Sequence, residues 1–300
     1  MKVLPFKISK PQQDAFVFQI DKEPSFYDKL HQHEEIQISL IIKGEGTLIV
    51  GDSVNSYKKG DIFVIGSNIP HVFKSDLKVT KTSHMLTLFF TERSFGVDFF
   101  NLEELNEIKP FFKRSKHGFR ITSKKNILTE LFFNLETASK LSQLIILLQL
   151  LKIFAKTNYK SLSSFVYNKK YSDNEGNRMR NVFEYTMNNF TQEITLNSIS
   201  KVANMTKNAF CKYFKKRTNK TYFQFLTELR IEHACKLLIK RKETPIASIA
   251  EQCGYNNISN FNRQFQIYKQ QSPTAFKNSF HSNNQQIAYK NCLCFVPLIT

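Results

Sequence analysis

Two stretches of the sequence, LNSISKVANMTKNAFCKYF at residues 196–214 and IASIAEQCGYNNISNFNRQF at residues 246–265, follow the same pattern of residue types. Each begins with apolar residues at helical spacing, reaches a residue type that tolerates positive φ, and continues with two phenylalanines four positions apart. The second copy lies 50 residues after the first, and its turn is one residue longer. This self-similarity predicts one supersecondary unit that is used twice.

The turn of each copy has the residues that a tight connection between two helices requires. Asn204 and Gly254 end the first helix of their copies, and these residue types adopt a left-handed backbone most readily. Thr206 and Asn257 follow them as suitable N-caps of the second helix. The pattern therefore predicts two helix-turn-helix units.

The second helix of each copy has one free face, because its phenylalanines point inward. Most residues on that face can donate hydrogen bonds to base edges or to phosphates. We expect DNA contacts from Lys207, Asn208, Cys211, Lys212 and Lys215 in the first copy, and from Ile258, Ser259, Asn262 and Arg263 in the second. Cys211 and Ile258 cannot form bidentate hydrogen bonds, so we expect an apolar contact or no base contact there.

The charge balance agrees with a polyanionic partner. Residues 178–280 contain 17 Lys and Arg against 6 Asp and Glu, and the whole chain has a formal net charge of +18. A basic surface also serves membranes or solubility, but here it coincides with two presented helices. Double-stranded DNA, whose major groove admits a helix, is therefore the predicted partner, and a membrane is not.

The sequence of this region resembles the DNA-binding domain of the AraC family of bacterial transcription regulators. The resemblance spans roughly residues 182–277 and rests on TYFQFLTELRIEHACKLL at 221–238 and PIASIAEQCGYNNISNFNRQFQIYKQQSPTAFK at 245–277. It implies a long linking helix that places both reading helices in successive major-groove segments on one face of DNA. It also implies that RNA polymerase is a partner and that transcription is more often activated than repressed.

The first third of the chain alternates short β-branched and aromatic runs with turn residues. These runs predict a small β-barrel or sandwich with strands at residues 36–43, 46–50, 61–65, 72–74 and 87–90. The segments that resemble the cupin-like sensor half of the same family are His31-Gln32-His33, Gly44-Glu45-Gly46, Lys59-Gly60-Asp61 and Pro70-His71. The resemblance implies a barrel that receives a small-molecule effector.

Three histidines of this half admit an enzymatic alternative. His31, His33 and His71 could be imidazole ligands of Zn, Fe or Mn, as in a metal-dependent cupin enzyme fused to a DNA-binding domain. The metal-binding pattern would place a glutamate where this sequence has Gln37, so we expect no metal, no cofactor and no catalytic residue. We expect the three histidines and Gln37 to line the effector pocket. A constitutive DNA-binding protein without any ligand is the other alternative.

Residues 102–161 have a helical pattern, with helices predicted at 126–137 and 138–157. The second helix has two apolar stripes, and both need to be covered. They consist of Leu141, Leu144, Ile145, Leu148 and Leu151, and of Ile146, Leu147, Leu150, Ile153 and Phe154. Gln149 and Lys152 interrupt the run before it reaches the roughly 18 apolar residues of a membrane span. We therefore predict that one stripe packs on the β-domain and the other on a second subunit of a homodimer.

Together these patterns predict an α+β multidomain chain with an N-terminal cupin-like β-barrel, a helical dimerisation segment and a C-terminal all-α domain with two helix-turn-helix motifs. The N-terminus lacks the apolar segment of a signal peptide, and five cysteines without metal spacing are typical of a reducing compartment, so we expect a cytoplasmic protein. The expected domains are a barrel at 1–100, a helical segment at 101–165, a linker at 166–181, a DNA-binding domain at 182–280 and a tail at 281–300. The predicted function is that of a sequence-specific, effector-controlled transcription regulator.

Overall fold

The computed structural model describes residues 8, 14–77, 79–167 and 173–281 of the chain. The chain divides into two compact units, Met1–Arg180 and Asn181–Thr300. Of the predicted tail, all but His281 lies outside the described residues. None of the described helices combines the length and the apolar character that crossing a bilayer requires.

The first unit is built on antiparallel β-structure. Its strands are β1 (Val17–Glu23), β2 (Ile36–Lys43), β3 (Gly46–Val50), β4 (Ser53–Tyr57), β5 (Ile62–Ile65), β6 (His71–Ser75), β7 (Ser83–Phe90), β8 (Phe119–Ile121) and β9 (Tyr159–Ser161). One sheet has the order β1-β7-β2-β5-β8-β9, and the other has the order β4-β3-β6.

The described strands form two sheets that do not close into a continuous barrel. The outer strands β4 and β6 of the smaller sheet pair with β3, so no ladder runs from them into the larger sheet. The prediction of an α+β chain with a β-rich cupin region before a helical helix-turn-helix domain is confirmed.

The predicted strands at 36–43 and 46–50 coincide with β2 and β3, and the other three fall within or overlap β5, β6 and β7. The sequence patterns did not predict β1 and β4. The sequence of β1, VFQIDKE, is only partly buried, and β4, SVNSY, is largely polar. Neither strand shows the apolar alternation on which a prediction from sequence depends.

Side chains along β2 alternate between the two faces of the larger sheet. Ile38 and Leu40 belong to a core that this sheet forms with the helices of the first unit. Ile41 belongs instead to the core between the two sheets. Gln37 and Ser39 share the face of Ile41, so the larger sheet presents polar side chains to the interior between the sheets.

The helices of the first unit pack on the other face of the larger sheet. They are two 3-10 turns (Phe99–Asn101 and Glu103–Ile108), α1 (Lys109–Ser115), α2 (Lys125–Asn134) and α3 (Lys140–Lys156). The predicted helices at 126–137 and 138–157 correspond to α2 and α3. Strands β8 and β9 lie in a region that was predicted to be helical, and each is only three residues long.

Among the described residues, one apolar stripe of α3 is covered and the other is covered only in part. Residues of the stripe that contains Leu147 and Phe154 are in the helix-side core. In the other stripe Leu151 is buried, but Leu141 is 68% exposed and Ile145 is 49% exposed. The structure therefore leaves an apolar patch at the start of α3.

The second unit is entirely helical in its described residues. Its helices are α4 (Asp173–Asn189), which begins before the boundary between the units, α5 (Leu196–Val202), α6 (Lys207–Thr218), α7 (Tyr222–Lys240), α8 (Ile246–Gln252), α9 (Ile258–Lys269) and α10 (Pro273–His281). Residues 168–172 of the predicted linker lie outside the described residues, and its later part belongs to α4.

Candidate functional site

The two helix-turn-helix units, α5-α6 and α8-α9, have the same turn geometry. Asn204 has a φ of 51° and Gly254 a φ of 81°, which confirms the predicted left-handed residues. The same backbone hydrogen bond closes each turn, from Met205 to Ser200 at 3.0 Å and from Tyr255 to Ala250 at 3.1 Å. The repeat in the sequence is therefore a repeat in backbone conformation.

Both reading helices, α6 and α9, begin with the predicted side-chain cap. The Thr206 hydroxyl accepts a hydrogen bond from the backbone N–H of Ala209 at 3.3 Å, and the Asn257 side chain accepts one from that of Asn260 at 3.0 Å. These caps satisfy backbone donors that the first turn of a helix leaves without a partner. The two helices have the same length, 12 residues.

The inner and outer faces of the reading helices are clearly separated. The four phenylalanines Phe210, Phe214, Phe261 and Phe265 are fully buried. All nine residues that the sequence predicts to contact DNA are exposed, namely Lys207, Asn208, Cys211, Lys212, Lys215, Ile258, Ser259, Asn262 and Arg263. The structure thus presents them on the surface of two capped helices, and their individual contacts with DNA stay predictions.

Arg230 of the linking helix α7 lies between the two helix-turn-helix units and contacts residues beside both. Its guanidinium donates hydrogen bonds to the backbone oxygens of Phe190 and Gln192, each at 2.7 Å, in the segment that leads into α5. The guanidinium carbon also lies 5.7 Å from the ring centroid of Tyr255, beside the turn between α8 and α9. No sequence pattern indicates this role, because the partners of Arg230 are backbone atoms distant in sequence.

The first unit brings three predicted pocket residues together. One ring nitrogen from each of His31, His33 and His71 lies within 4.8 Å of the others. The Nδ1 atoms of the three rings lie 2.8, 2.9 and 2.9 Å from the backbone oxygens of Lys29, Glu35 and Ile69. Donation from Nδ1–H to a backbone oxygen leaves a lone pair on Nε2 of a neutral ring.

Gln37, the fourth predicted pocket residue, lies against two rings of this histidine cluster. Its Oε1 lies 3.2 Å from Nε2 of His33 and 3.1 Å from Nε2 of His71, and its amide nitrogen donates to the Ser39 hydroxyl at 2.9 Å. The Ser39 hydroxyl continues the chain to Thr87 at 3.1 Å. A buried polar network therefore runs between the two sheets.

The cluster has the chemistry to hold either a cation or a polar ligand group. A divalent metal ion would accept the Nε2 lone pairs of the histidines and the amide oxygen of Gln37. Without a metal, the Gln37 amide turned by 180° would donate its two N–H bonds to His33 and His71. A neutral amide in place of a carboxylate makes these residues a weaker set of metal ligands. That the site holds no metal stays a prediction.

Burial holds the histidines of the cluster in their neutral form. Burial lowers the pKa of His31 to about 3, and the hydrogen bond to the Lys29 carbonyl opposes this shift only in part. Burial likewise lowers the pKa of His33, against the opposing influence of Glu35. The pKa of His71 lies well below its ordinary value, because the ring is buried and the other two histidines are close.

Comparison with known proteins gives the same two-part organisation. The uncharacterized HTH-type transcriptional regulator YdeC of Bacillus subtilis is 24% identical over 278 residues, which cover 86% of this chain and 89% of that protein. The HTH-type transcriptional activator RhaR of Mannheimia succiniciproducens is 25% identical over 266 residues, covering 84% and 87%. A helix-turn-helix domain model matches residues 199–279, and a cupin domain model matches residues 18–80. The chain is a DNA-binding transcription regulator of the AraC type.

The two domain matches of this AraC-type regulator contain both candidate sites. The helix-turn-helix match includes both turns and both reading helices, and the cupin match includes the whole histidine cluster. The relatives that extend over most of the chain are named as transcription regulators, and their names describe no enzyme.

Gly254→Ala tests the turn between α8 and α9. A Cβ at this position would lie 2.8 Å from the backbone oxygen of Thr191, in addition to the strain of a left-handed alanine. We expect the free energy of unfolding to fall by at least about 2 kcal/mol, measured by urea denaturation with circular dichroism. Asn204→Ala in the matching turn is the control and should cost only about 1 kcal/mol. Equal losses in the two variants would contradict the close approach at Gly254.

Acidification tests the neutral state of the histidine cluster. The pKa values of the three histidines are lower in the folded chain than the roughly 6.5 of an unfolded chain, so the unfolded state gains protons first as the pH falls. Their contribution to stability is therefore fully present above about pH 6.5 and declines below it, by about 1.4 kcal/mol per pH unit for each histidine. Urea unfolding in the presence of a chelator, between neutral pH and about pH 5, measures this slope. His71→Gln should make the slope shallower, and an unchanged slope would contradict the assignment.

Proposed function

We propose that this regulator activates transcription in response to a small effector that binds between the two sheets of the first unit. The proposed contact residues are His31, His33, Gln37 and His71. The regulator would act in the cytoplasm as a homodimer on promoter DNA, with RNA polymerase as a further partner, and it would have no enzymatic activity. The name of the relative RhaR, a transcriptional activator, supports the direction of regulation.

The buried polar network is the observation that carries the effector proposal. Gln37, Ser39 and Thr87 are each at most 4% exposed, and the core beside them consists of apolar side chains such as Phe63 and Met85. Burying polar groups is unfavourable unless they are hydrogen-bonded, and apolar side chains would fill this space at lower cost. A polar ligand that exchanges hydrogen bonds with the network is a sufficient reason to keep it.

Regulation also requires the effector to distinguish two states of the chain. A ligand that binds both states equally shifts no equilibrium, however tightly it binds. The histidine cluster can supply this preference, because its hydrogen bonds involve the backbone of the chain near Lys29, Glu35 and Ile69. A ligand that changes the hydrogen bonds of the histidine rings would therefore also affect the backbone segments to which the rings are bonded.

The apolar patch of Leu141 and Ile145 on α3 is the surface that we propose for the homodimer. Leu141 and Ile145 lie one helical turn apart and are exposed, while the opposite stripe of the same helix is buried. A second copy of α3 would cover these side chains and remove their apolar area from water.

A ligand screen on the full-length chain tests the effector proposal. Sugars, organic acids, amino acids and divalent metal ions are added to the purified protein, and its melting temperature is recorded. A true effector should raise the melting temperature of the wild type and not that of Gln37→Leu, because the variant loses the amide at the centre of the network. Affinity for DNA without effector should be the same in both chains. A compound that stabilises both equally binds elsewhere, and unchanged promoter occupancy in cells under all growth conditions would support the constitutive alternative.

Charge substitution in α3 tests the proposed dimer. Leu141→Glu combined with Ile145→Glu places carboxylates in the proposed interface, so we expect a monomer by sedimentation equilibrium at concentrations where the wild type is dimeric. Ile127→Glu is the control, because it replaces an exposed apolar residue of α2, outside the proposed surface, with a carboxylate. A doubly substituted chain that remains dimeric would exclude this surface.

A further inference from the structure

The repeat aligns the reading helices α6 and α9 residue by residue, yet the exposed residues at equivalent positions differ in charge. Each position in α6 corresponds to the position 51 residues later in α9. Three exposed lysines of α6 correspond to exposed uncharged residues of α9, and these pairs are Lys207 and Ile258, Lys215 and Gln266, and Lys216 and Ile267. The two helices therefore have the same backbone and different surface chemistry.

The difference is larger when the burial of each cation is considered. Lys212 of α6 is exposed along with the three lysines of the pairs, whereas Arg263 is the one exposed cation of α9, all of whose residues are described. The other cation of α9, Lys269, is buried and forms an ion pair with Glu232 of α7. DNA facing α6 would meet four exposed ammonium groups, and DNA facing α9 would meet a single guanidinium.

The side chains also differ in what they can recognise. An ammonium is a hydrated point charge, and where it contacts a phosphate it neutralises charge without reading sequence. Arginine and asparagine form bidentate hydrogen bonds with guanine and adenine respectively, and α9 carries both types at Arg263 and Asn262. At the positions equivalent to these two residues, α6 has Lys212, which lacks the planar fork of a guanidinium, and Cys211, which cannot form a bidentate contact. Helix α6 keeps one residue able to form such a contact, Asn208, whose equivalent in α9 is Ser259.

A hydrogen bond on α9 orients its arginine. The Arg263 Nη2 donates to Oδ1 of Asn260 at 3.1 Å, and the backbone N–H of Asn260 is fixed by the Asn257 cap. The residue equivalent to Asn260 in α6 is Ala209, whose side chain offers no such acceptor. Ordering the guanidinium before binding reduces the entropy that a specific contact loses.

We infer that the two reading helices divide the recognition of DNA. Helix α6 provides affinity through phosphate contacts, helix α9 provides sequence discrimination through Arg263 and Asn262, and Asn260 is a positioning residue for Arg263. This division rests on the proposed interface residues and adds to them that the two units of the repeat are not equivalent.

Exchange of residues between the two copies tests the division. The affinity of the full-length chain is measured over a series of KCl concentrations, for a duplex selected from a random library and for a random duplex of equal length. Lys215→Gln should weaken both complexes by the same factor and reduce the slope of log K against log[KCl] by about 1. Gln266→Lys should increase that slope by about 1 and leave the ratio of the two affinities unchanged.

The charge-conserving exchange tests base readout. Arg263→Lys keeps the charge and removes the planar fork, so the ratio of affinities for the selected and random duplexes should fall roughly tenfold or more, with the salt slope unchanged. Lys212→Arg, the matched control, should leave the ratio unchanged. Asn260→Ala should lower the ratio in the wild type and have no further effect in Arg263→Lys, as expected of a residue that acts through Arg263.

The outcomes separate failure of the division from failure of the interface. A loss of discrimination in Lys215→Gln, or equal losses for both duplexes in Arg263→Lys, would overturn the division while supporting DNA contact by these helices. Unchanged binding in all of these variants would overturn the interface and the division together. Lys116→Gln, which removes an exposed lysine of the first unit, controls for a general effect of net charge.

Discussion

The bonds made by Arg230 are the constraint on which the DNA-binding unit depends. Two helix-turn-helix units can act on one duplex only if their relative position is fixed, and Arg230 bonds to the segment before the first while its guanidinium lies beside Tyr255 in the second. The Arg230 side chain fits here because Gly254 has no Cβ. A Cβ at that position would lie 2.8 Å from the backbone oxygen of Thr191 and 3.0 Å from Nη2 of Arg230. Gly254 therefore serves both the left-handed turn and the packing between the two helix-turn-helix units.

The linking helix α7 shares its residues between two cores. Near its beginning, Tyr222 packs 5.5 Å from the Phe210 ring of the first reading helix, and its hydroxyl bonds to Thr186 at 2.9 Å. Farther along, Ala234 and Leu238 belong to the core that contains Phe261 and Phe265 of the second reading helix. Each core is small, and the continuous helix makes the two cores one structural unit.

The first unit follows a different principle, because its distinctive feature is polar and buried. Alternation along β2 directs Ile38 and Leu40 to the helices, and it directs Gln37 and Ser39 to the interior between the sheets. Regular strand geometry thus places the amide of Gln37 beside His33 and His71. The histidines remain neutral because burial opposes their charge, so the network is a set of hydrogen-bonding groups without net charge at neutral pH.

Sequence patterns are sufficient to establish the repeat, both left-handed turn residues, the caps Thr206 and Asn257, and the outer faces of the reading helices. These features are local, because spacing within one turn and the conformational freedom of single residues decide them. Sequence patterns also indicate that the three histidines and Gln37 belong together. Other features follow only from the three-dimensional packing: the two sheets that do not close, strands β1 and β4, the exposed patch of Leu141 and Ile145, and the bonds of Arg230. Those features depend on contacts between residues far apart in the chain, where pairing and packing, and not local propensity, select the conformation.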